Sequence, residues 1–236
     1  MNNQSRLFSA LTSQVGRKVL TGITGVLLVL YLIAHISGNL SLLGNDPTAF
    51  NKYGAFLHGF GKLFYLVEIG LGVTILLHAY IGITIWMRKR AARRQGYAVH
   101  GSKGAPSRQS ISSRTMIITG TVMLIFITVH VLQFRFGPGE AEGYVQTLSD
   151  GTKIHDLRRI TVETFSHIGW VIFYVGAVLL LGFHLRHGIW SMLQSLGAMK
   201  PRASGTIYAL AFILAIILAA AFIFLPIWIH FQGGAA

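Results

Sequence analysis

Five long apolar stretches constrain this chain more than any other feature of its sequence. They run over about residues 19–40, 63–87, 115–136, 164–190 and 205–231. Each has the roughly 20 residues that a helix needs to cross a bilayer. Because backbone polar groups in lipid must be hydrogen-bonded within the protein, we expect these stretches to be α-helices. The sequence therefore predicts an all-α membrane protein, a single integral membrane domain over residues 1–236 with five transmembrane helices in a bundle.

The composition agrees with lipid as the main solvent. Charged residues make up 11% of the chain, against about 25% in an ordinary soluble domain. The net charge of +13 could indicate nucleic-acid binding, but the basic segment has no interleaved aromatic residues, so we expect no nucleic-acid partner. The absence of cysteine excludes disulfides, thiolate-bound iron–sulfur clusters and covalently attached c-type haem from this chain.

The distribution of charge predicts the orientation. Segment 88–114 is rich in Lys and Arg and has no acid, and five alternating spans place it on the same side as Arg17, Lys18, Lys200 and Arg202. All the acidic residues lie on or near the other side. By the positive-inside rule, segment 88–114 is a cytoplasmic loop, the N-terminus is cytoplasmic and the C-terminus is outside. The expected location is a bacterial inner membrane.

Four histidines lie inside spans, one in each of the first four. Ionisable groups there are costly and indicate function, although any one of them alone could be a packing residue. At 1.5 Å rise per residue, His35 and His130 fall in an outer layer (the outer pair). His78 and His184 fall in an inner layer (the inner pair). Unrelated packing residues have little reason to form two matched layers.

Two imidazoles that face each other across a helical bundle suit six-coordinate haem iron. With both axial positions filled, such a haem transfers electrons and does not bind oxygen. The neutral imidazole, which is the ligand form, is favoured in an apolar interior. We therefore expect two b-type haems, one for each pair, with the four histidines as axial ligands of the iron.

Glycines next to the inner pair support this interpretation. Gly82 and Gly188 each follow a histidine of the inner pair by four residues, on the same helix face, and leave room for a flat macrocycle. The competing interpretation is close packing between helices. His187 competes with His184 as the ligand, and it could instead bond a haem propionate. Two more glycines lie along the first span, Gly22 and Gly25.

The chain resembles the five-helix, di-haem cytochrome b558 membrane anchors of succinate dehydrogenase. The resemblance rests on the number and direction of the helices, on the four histidines and on short segments. These segments are residues 34–39, 50–58, 68–70, 78–82, 129–131, 184–191 and 194–197.

The resemblance implies partners, a substrate and a direction of electron flow. A flavoprotein subunit and an iron–sulfur subunit would bind the cytoplasmic face. Electrons from succinate would pass to the proximal haem, held by the inner pair, then to the distal haem, held by the outer pair. A quinone, usually menaquinone, would receive them. Related fumarate reductases have a glutamate just before the fourth ligand, where this chain has Leu181-Gly182-Phe183, and this favours succinate oxidation.

Several other residues are candidates for contact with a haem or with the quinone. Glu68, near the outer face, could relay protons to a quinone, or it could be an interfacial acid that touches water or a base. Arg17 and Arg186 could pair with haem propionates, or they could anchor the chain in lipid headgroups. Three further residues flank the outer layer and could contact the quinone or a haem, or serve as interfacial anchors: Gln133, Arg135 and Trp170.

Two other classes of protein remain open at this stage. One is the cytochrome b anchor of a formate dehydrogenase or hydrogenase. The other is a haem-free transporter or scaffold, although no internal repeat is evident in the sequence. A higher oligomer is compatible with either class and with the succinate dehydrogenase anchor.

Overall fold

Helices account for most of the structure, a computed structural model that describes residues 9–92 and 111–232. The expected loop 88–114 therefore lies partly outside the described residues, and so does the extreme N-terminus. The helices are α1 (Gln14–Asn39), α2 (Ala49–His58), α3 (Lys62–Ala91), α4 (Met116–Phe134), α5 (Leu157–Ser166), α6 (Ile168–Ser195) and α7 (Ser204–Gln232). A 3₁₀ turn, Leu40–Leu43, extends α1, and a helical turn, Ile111–Arg114, precedes α4.

Five of these helices (α1, α3, α4, α6 and α7) are long and apolar enough to cross a membrane. The prediction of an all-α membrane fold with five spanning helices is confirmed, while its haem content stays a prediction. In the fourth span, α6 begins at Ile168, later than the expected start at 164, and ends at Ser195. The preceding residue, His167, has extended backbone angles (φ −88°, ψ 113°) that interrupt the helix between α5 and α6.

The short elements between the spans were not predicted from the sequence. Besides α2 and α5, an antiparallel hairpin joins β1 (Val145–Thr147) to β2 (Lys153–His155). Gly151, within the hairpin turn, has φ +84°, a conformation that side chains with a Cβ rarely adopt. The start of α5 is capped by Asp156, whose carboxylate accepts a hydrogen bond from the Arg159 N–H.

The chain divides into two compact units. Unit 1 consists of residues 1–30, 71–121 and 182–217, and unit 2 consists of residues 31–70, 122–181 and 218–236. Among the described residues, the buried apolar side chains of unit 1 include Ile81, Leu185, Ile189 and Trp190.

Unit 2 has an aromatic core at its centre. Phe165, Val171, Tyr174 and Ile229 are buried there, and partly buried aromatic and aliphatic side chains from α4, α5, α6 and α7 pack around them. The Tyr174 ring meets the Phe165 ring nearly at right angles, with 5.0 Å between ring centroids. Edge-to-face contacts of this kind stabilise a core beyond the area that they bury.

Candidate functional site

The inner pair lies together in unit 1. His78 of α3 and His184 of α6 face each other with 6.4 Å between ring centroids and 63° between ring planes. The sequence predicted that these residues share a layer, and the structure places their rings side by side. The competitor His187 lies one turn further along α6, where its ring contacts that of Trp190.

A threonine hydroxyl touches each ring of the inner pair. Thr24 Oγ1 of α1 lies 3.0 Å from His78 Nδ1, and Thr119 Oγ1 of α4 lies 3.1 Å from His184 Nδ1. Both threonines are buried. With Nδ1 occupied by a hydroxyl, the nitrogen of each ring that remains for a metal is Nε2.

The outer pair also lies together, in unit 2. The rings of His35 (α1) and His130 (α4) have centroids 5.7 Å apart and are nearly perpendicular, at 84°. His130 Nδ1 is 3.4 Å from the Tyr174 hydroxyl, which donates to the Gln133 side-chain oxygen at 2.7 Å. His35 differs, because its Nε2 lies 3.4 Å from the side-chain nitrogen of Asn39 on the same helix.

A metal shared by two imidazoles requires a particular distance between the two rings. A metal–imidazole bond of about 2 Å, with each ring centre about 1 Å behind its bonded nitrogen, separates opposed rings by about 6 Å. The inner pair, at 6.4 Å, fits this value, and the hydroxyl contacts of its two rings are both at Nδ1. The outer pair is close in distance at 5.7 Å. To bind a metal through Nε2, however, His35 must give up its contact with Asn39.

The number of protein ligands available at each histidine pair also limits which kind of metal group can bind there. In residues 9–92 and 111–232, no three or more His, Cys, Asp or Glu side chains cluster around a common point. A metal ion held by protein alone takes three or four such ligands. Paired imidazoles therefore suit a metal whose remaining ligands come from a macrocycle, as in haem.

The glycines near the inner pair have three kinds of surroundings. A Cβ added to Gly82 or Gly188 would meet nothing within 4 Å, so close helix packing does not explain these two glycines and open space lies beside them. Gly22 does pack closely, because an added Cβ would lie 3.1 Å from the Leu196 side chain. Gly25 and Gly120 lie beside the histidine rings.

The acidic candidate Glu68 forms an ion pair in unit 2. Its two carboxylate oxygens accept hydrogen bonds from Arg135 at 2.7 and 3.1 Å. The Arg135 guanidinium also lies over the rings of Tyr65 and Phe136. Glu68 thus touches a base, as one of its two interpretations required. Both side chains of the pair are about one-third exposed, and pairs of this kind contribute little to stability.

The remaining candidates have different surroundings. Arg17 donates from Nε to the Thr12 carbonyl at 2.9 Å, within the N-terminal turn. Arg186 lies over the Phe212 ring and its Nη2 is 3.5 Å from the Tyr208 hydroxyl. Its Nε is buried without a hydrogen-bond partner among the described residues, which is costly for a charged group. Trp170 packs on Phe173 and Tyr174 in the aromatic core.

Four residues that contact these histidines were not predicted from the sequence: Thr24, Thr119, Tyr174 and Gly120. For three of them a signal was present, because the triplet Ile-Thr-Gly occurs twice, at residues 23–25 and 118–120. Tyr174 had no comparable signal, since its contact with His130 depends on how α4 and α6 pack.

The site is thus a set of paired imidazoles within the spanning helices of an all-α membrane protein. A sequence model of the succinate dehydrogenase/fumarate reductase transmembrane subunit family matches residues 87–224, more than half of the chain. The chain belongs to this family and is a multi-pass membrane subunit of such a complex. Comparisons with curated proteins and with solved structures gave no match. Membership of this family does not favour the anchor of a formate dehydrogenase or hydrogenase. It does not favour a transporter either.

Proposed function

We propose that the chain is the di-haem cytochrome b subunit of a succinate dehydrogenase, of the cytochrome b558 type. It anchors a flavoprotein subunit and an iron–sulfur subunit and passes electrons from succinate to a quinone. The chain itself does not act on succinate. The observation that carries the proposal is the inner pair, whose rings have the separation of two imidazoles on one metal and whose Nδ1 atoms are both held by hydroxyls.

The residues of this chain would hold and orient the cofactors. His78 and His184 would bind the iron of the inner haem, and His35 and His130 that of the outer haem. When bound, each haem supplies one-electron transfer and the protein supplies ligands, burial and charge. The open space at Gly82 and Gly188 leaves room for a macrocycle.

Charge in unit 1 suits the acidic edge of a haem. The buried Nε of Arg186 has no partner among the described residues, and a propionate carboxylate would satisfy it. His187, one turn along α6 from His184, could donate to the same carboxylate. Arg17 is a weaker candidate, because its Nε already donates to a backbone carbonyl.

The quinone site belongs to the outer layer in this proposal. Glu68, which is paired with Arg135, would relay protons to a menaquinone. The residues Leu181-Gly182-Phe183, which precede the fourth ligand, favour succinate oxidation over fumarate reduction. The basic ends of α3 and of the α6–α7 turn would face the soluble subunits in the cytoplasm of a bacterium.

The test is a reduced-minus-oxidised absorbance spectrum of the purified wild-type subunit with haem and protein quantified. We expect two haems b per chain. His78→Leu or His184→Leu should remove one haem, because leucine offers no ligand, and should leave the other in place. The matched comparison is His187→Leu, one turn away, which removes a propionate contact and no axial ligand and should therefore keep both haems. A colourless wild-type protein, or a His184→Leu variant with two intact haems, would contradict the assignment.

A further inference from the structure

The hydroxyl of each threonine at the inner pair lies within hydrogen-bond distance of backbone carbonyls of its own helix as well as of its histidine. Thr24 Oγ1 donates to the Leu20 carbonyl at 2.9 Å and approaches the Thr21 carbonyl at 3.1 Å. Thr119 Oγ1 donates in the same way to the carbonyls of Thr115 and Met116, at 3.1 and 3.3 Å. A hydroxyl has a single hydrogen, so when that hydrogen is donated to one of these carbonyls the oxygen presents a lone pair to its histidine.

A lone pair facing Nδ1 determines the tautomer of the imidazole. Each ring must donate its hydrogen from Nδ1, and Nε2 is then the unprotonated nitrogen, which is the form that binds a metal. We infer that Thr24 and Thr119 are positioning residues: their hydroxyls hold His78 and His184 in the Nδ1–H tautomer, with both Nε2 lone pairs free for one iron. This inference rests on the proposed function.

The residue after each threonine supports this assignment. A Cβ added to Gly25 would lie 3.8 Å from His78 Cε1, and one added to Gly120 would lie 3.5 Å from His184 Cε1. Each Thr-Gly pair therefore borders one edge of a ring, with the hydroxyl at Nδ1 and the bare backbone beside Cε1. The arrangement repeats, since α1 supplies the pair for α3 and α4 supplies the pair for α6.

The histidines of the outer pair have different hydrogen-bond partners from those of the inner pair. His130 Nδ1 faces a tyrosine hydroxyl at 3.4 Å, and the described residues give His35 an amide contact at Nε2 and no hydroxyl. Removal of a threonine hydroxyl in unit 1 should therefore change the inner haem and leave the outer haem as it is. The outer haem serves as an internal measure of folding.

The experiment uses Thr24→Val and Thr119→Val in the full complex, since valine keeps the shape of threonine without the hydroxyl. Loss of the residue that hydrogen-bonds to a metal ligand typically costs about 10–100-fold in metal affinity. We expect a loss of this size in haem affinity at the inner site. We also expect a higher reduction potential for the inner haem, because an imidazole without its acceptor at Nδ1 is a weaker donor to the iron.

Two further variants make the result decisive. Thr24→Ser should restore the affinity and the potential, because serine retains the hydroxyl. Thr121→Val is the matched control on α4 and should behave as wild type. Its hydroxyl is exposed and, within residues 9–92 and 111–232, bonds only to the Ile117 carbonyl.

Three outcomes would overturn the inference. If both valine variants keep a wild-type inner haem while His78→Leu loses it, the inference fails and the proposed function stands. Equal loss of both haems would show that the threonines stabilise the fold as a whole and have no specific role at the inner haem. A wild-type protein without haem would remove the proposed function and the inference together.

Discussion

The side-chain amide of Asn51 joins three separate segments of unit 2. Its nitrogen donates to the Gln146 side-chain oxygen at 2.7 Å and to the Asp156 carboxylate at 2.8 Å, and its oxygen accepts from the Arg158 N–H at 2.8 Å. Asn51 itself lies on α2 and is 1% exposed. Because all of its partners belong to the hairpin or the start of α5, this residue links those elements to α2.

Asn51→Ala should lower the free energy of unfolding by about 1–3 kcal/mol, because it leaves buried polar groups without a partner. The measurement is the unfolding midpoint of the purified protein in mixed detergent micelles as SDS increases. The matched control is Lys52→Ala on the same helix, whose ion pair with Asp46 is half exposed and should contribute little. Equal midpoints for Asn51→Ala and wild type would show that the amide is dispensable.

At the scale of elements, α1 and α2 meet through a glycine. Gly38 is buried near the end of α1, and an added Cβ would collide with the Tyr53 ring of α2, with its hydroxyl oxygen 2.9 Å away. Gly54 of α2 similarly faces Leu157 at the start of α5, where an added Cβ would lie 2.5 Å from a side-chain methyl. These contacts require glycine because of space, since neither residue has a positive φ.

Gly38→Ala should therefore destabilise the protein by about 1–3 kcal/mol, the usual cost of forcing extra volume into a packed contact. The same SDS titration measures it. Gly205→Ala is the control, since Gly205 lies in α7 with nothing within 4 Å of an added Cβ. That control should be neutral or slightly stabilising, because alanine favours a helix. A Gly38→Ala variant as stable as wild type would mean that the Tyr53 ring moves away at little cost.

At the scale of the whole molecule, charge is unevenly divided along the chain. All the acidic residues belong to unit 2, and most of the basic residues belong to unit 1. The described basic residues of unit 1 include Arg88, Lys89 and Arg90 at the end of α3. Because Lys and Arg loops remain in the cytoplasm, this division predicts that the basic ends of the spans face the cytoplasm.

The chain has no cysteine, so single introduced thiols can report this orientation. A Ser149→Cys variant, exposed in the β-hairpin turn, should react with a membrane-impermeant maleimide in spheroplasts. An Ala198→Cys variant, exposed in the turn between α6 and α7, should react only after the membrane is permeabilised. The wild-type chain gives the background. Labelling in the opposite order would contradict the predicted orientation.

Much of the fold follows from periodicity and composition. Spans of about 20 apolar residues must be helical in lipid, so their number and type are set locally, and the depth of each histidine follows from the rise per residue. The pairing of His78 with His184 and of His35 with His130 could be predicted for this reason. The short elements between the spans could not, because α2, α5 and the hairpin depend on contacts such as those of Asn51.

The sequence alone determined five spanning helices and the two layers of imidazoles, because each depends on hydropathy and distance along one helix. Only the tertiary structure decided which side chains contact each imidazole ring. The contacts of Thr24 with His78, Thr119 with His184 and Tyr174 with His130 each join two helices. Such contacts depend on how one helix is rotated and shifted against another, and a side-chain pattern read along a single helix does not specify that.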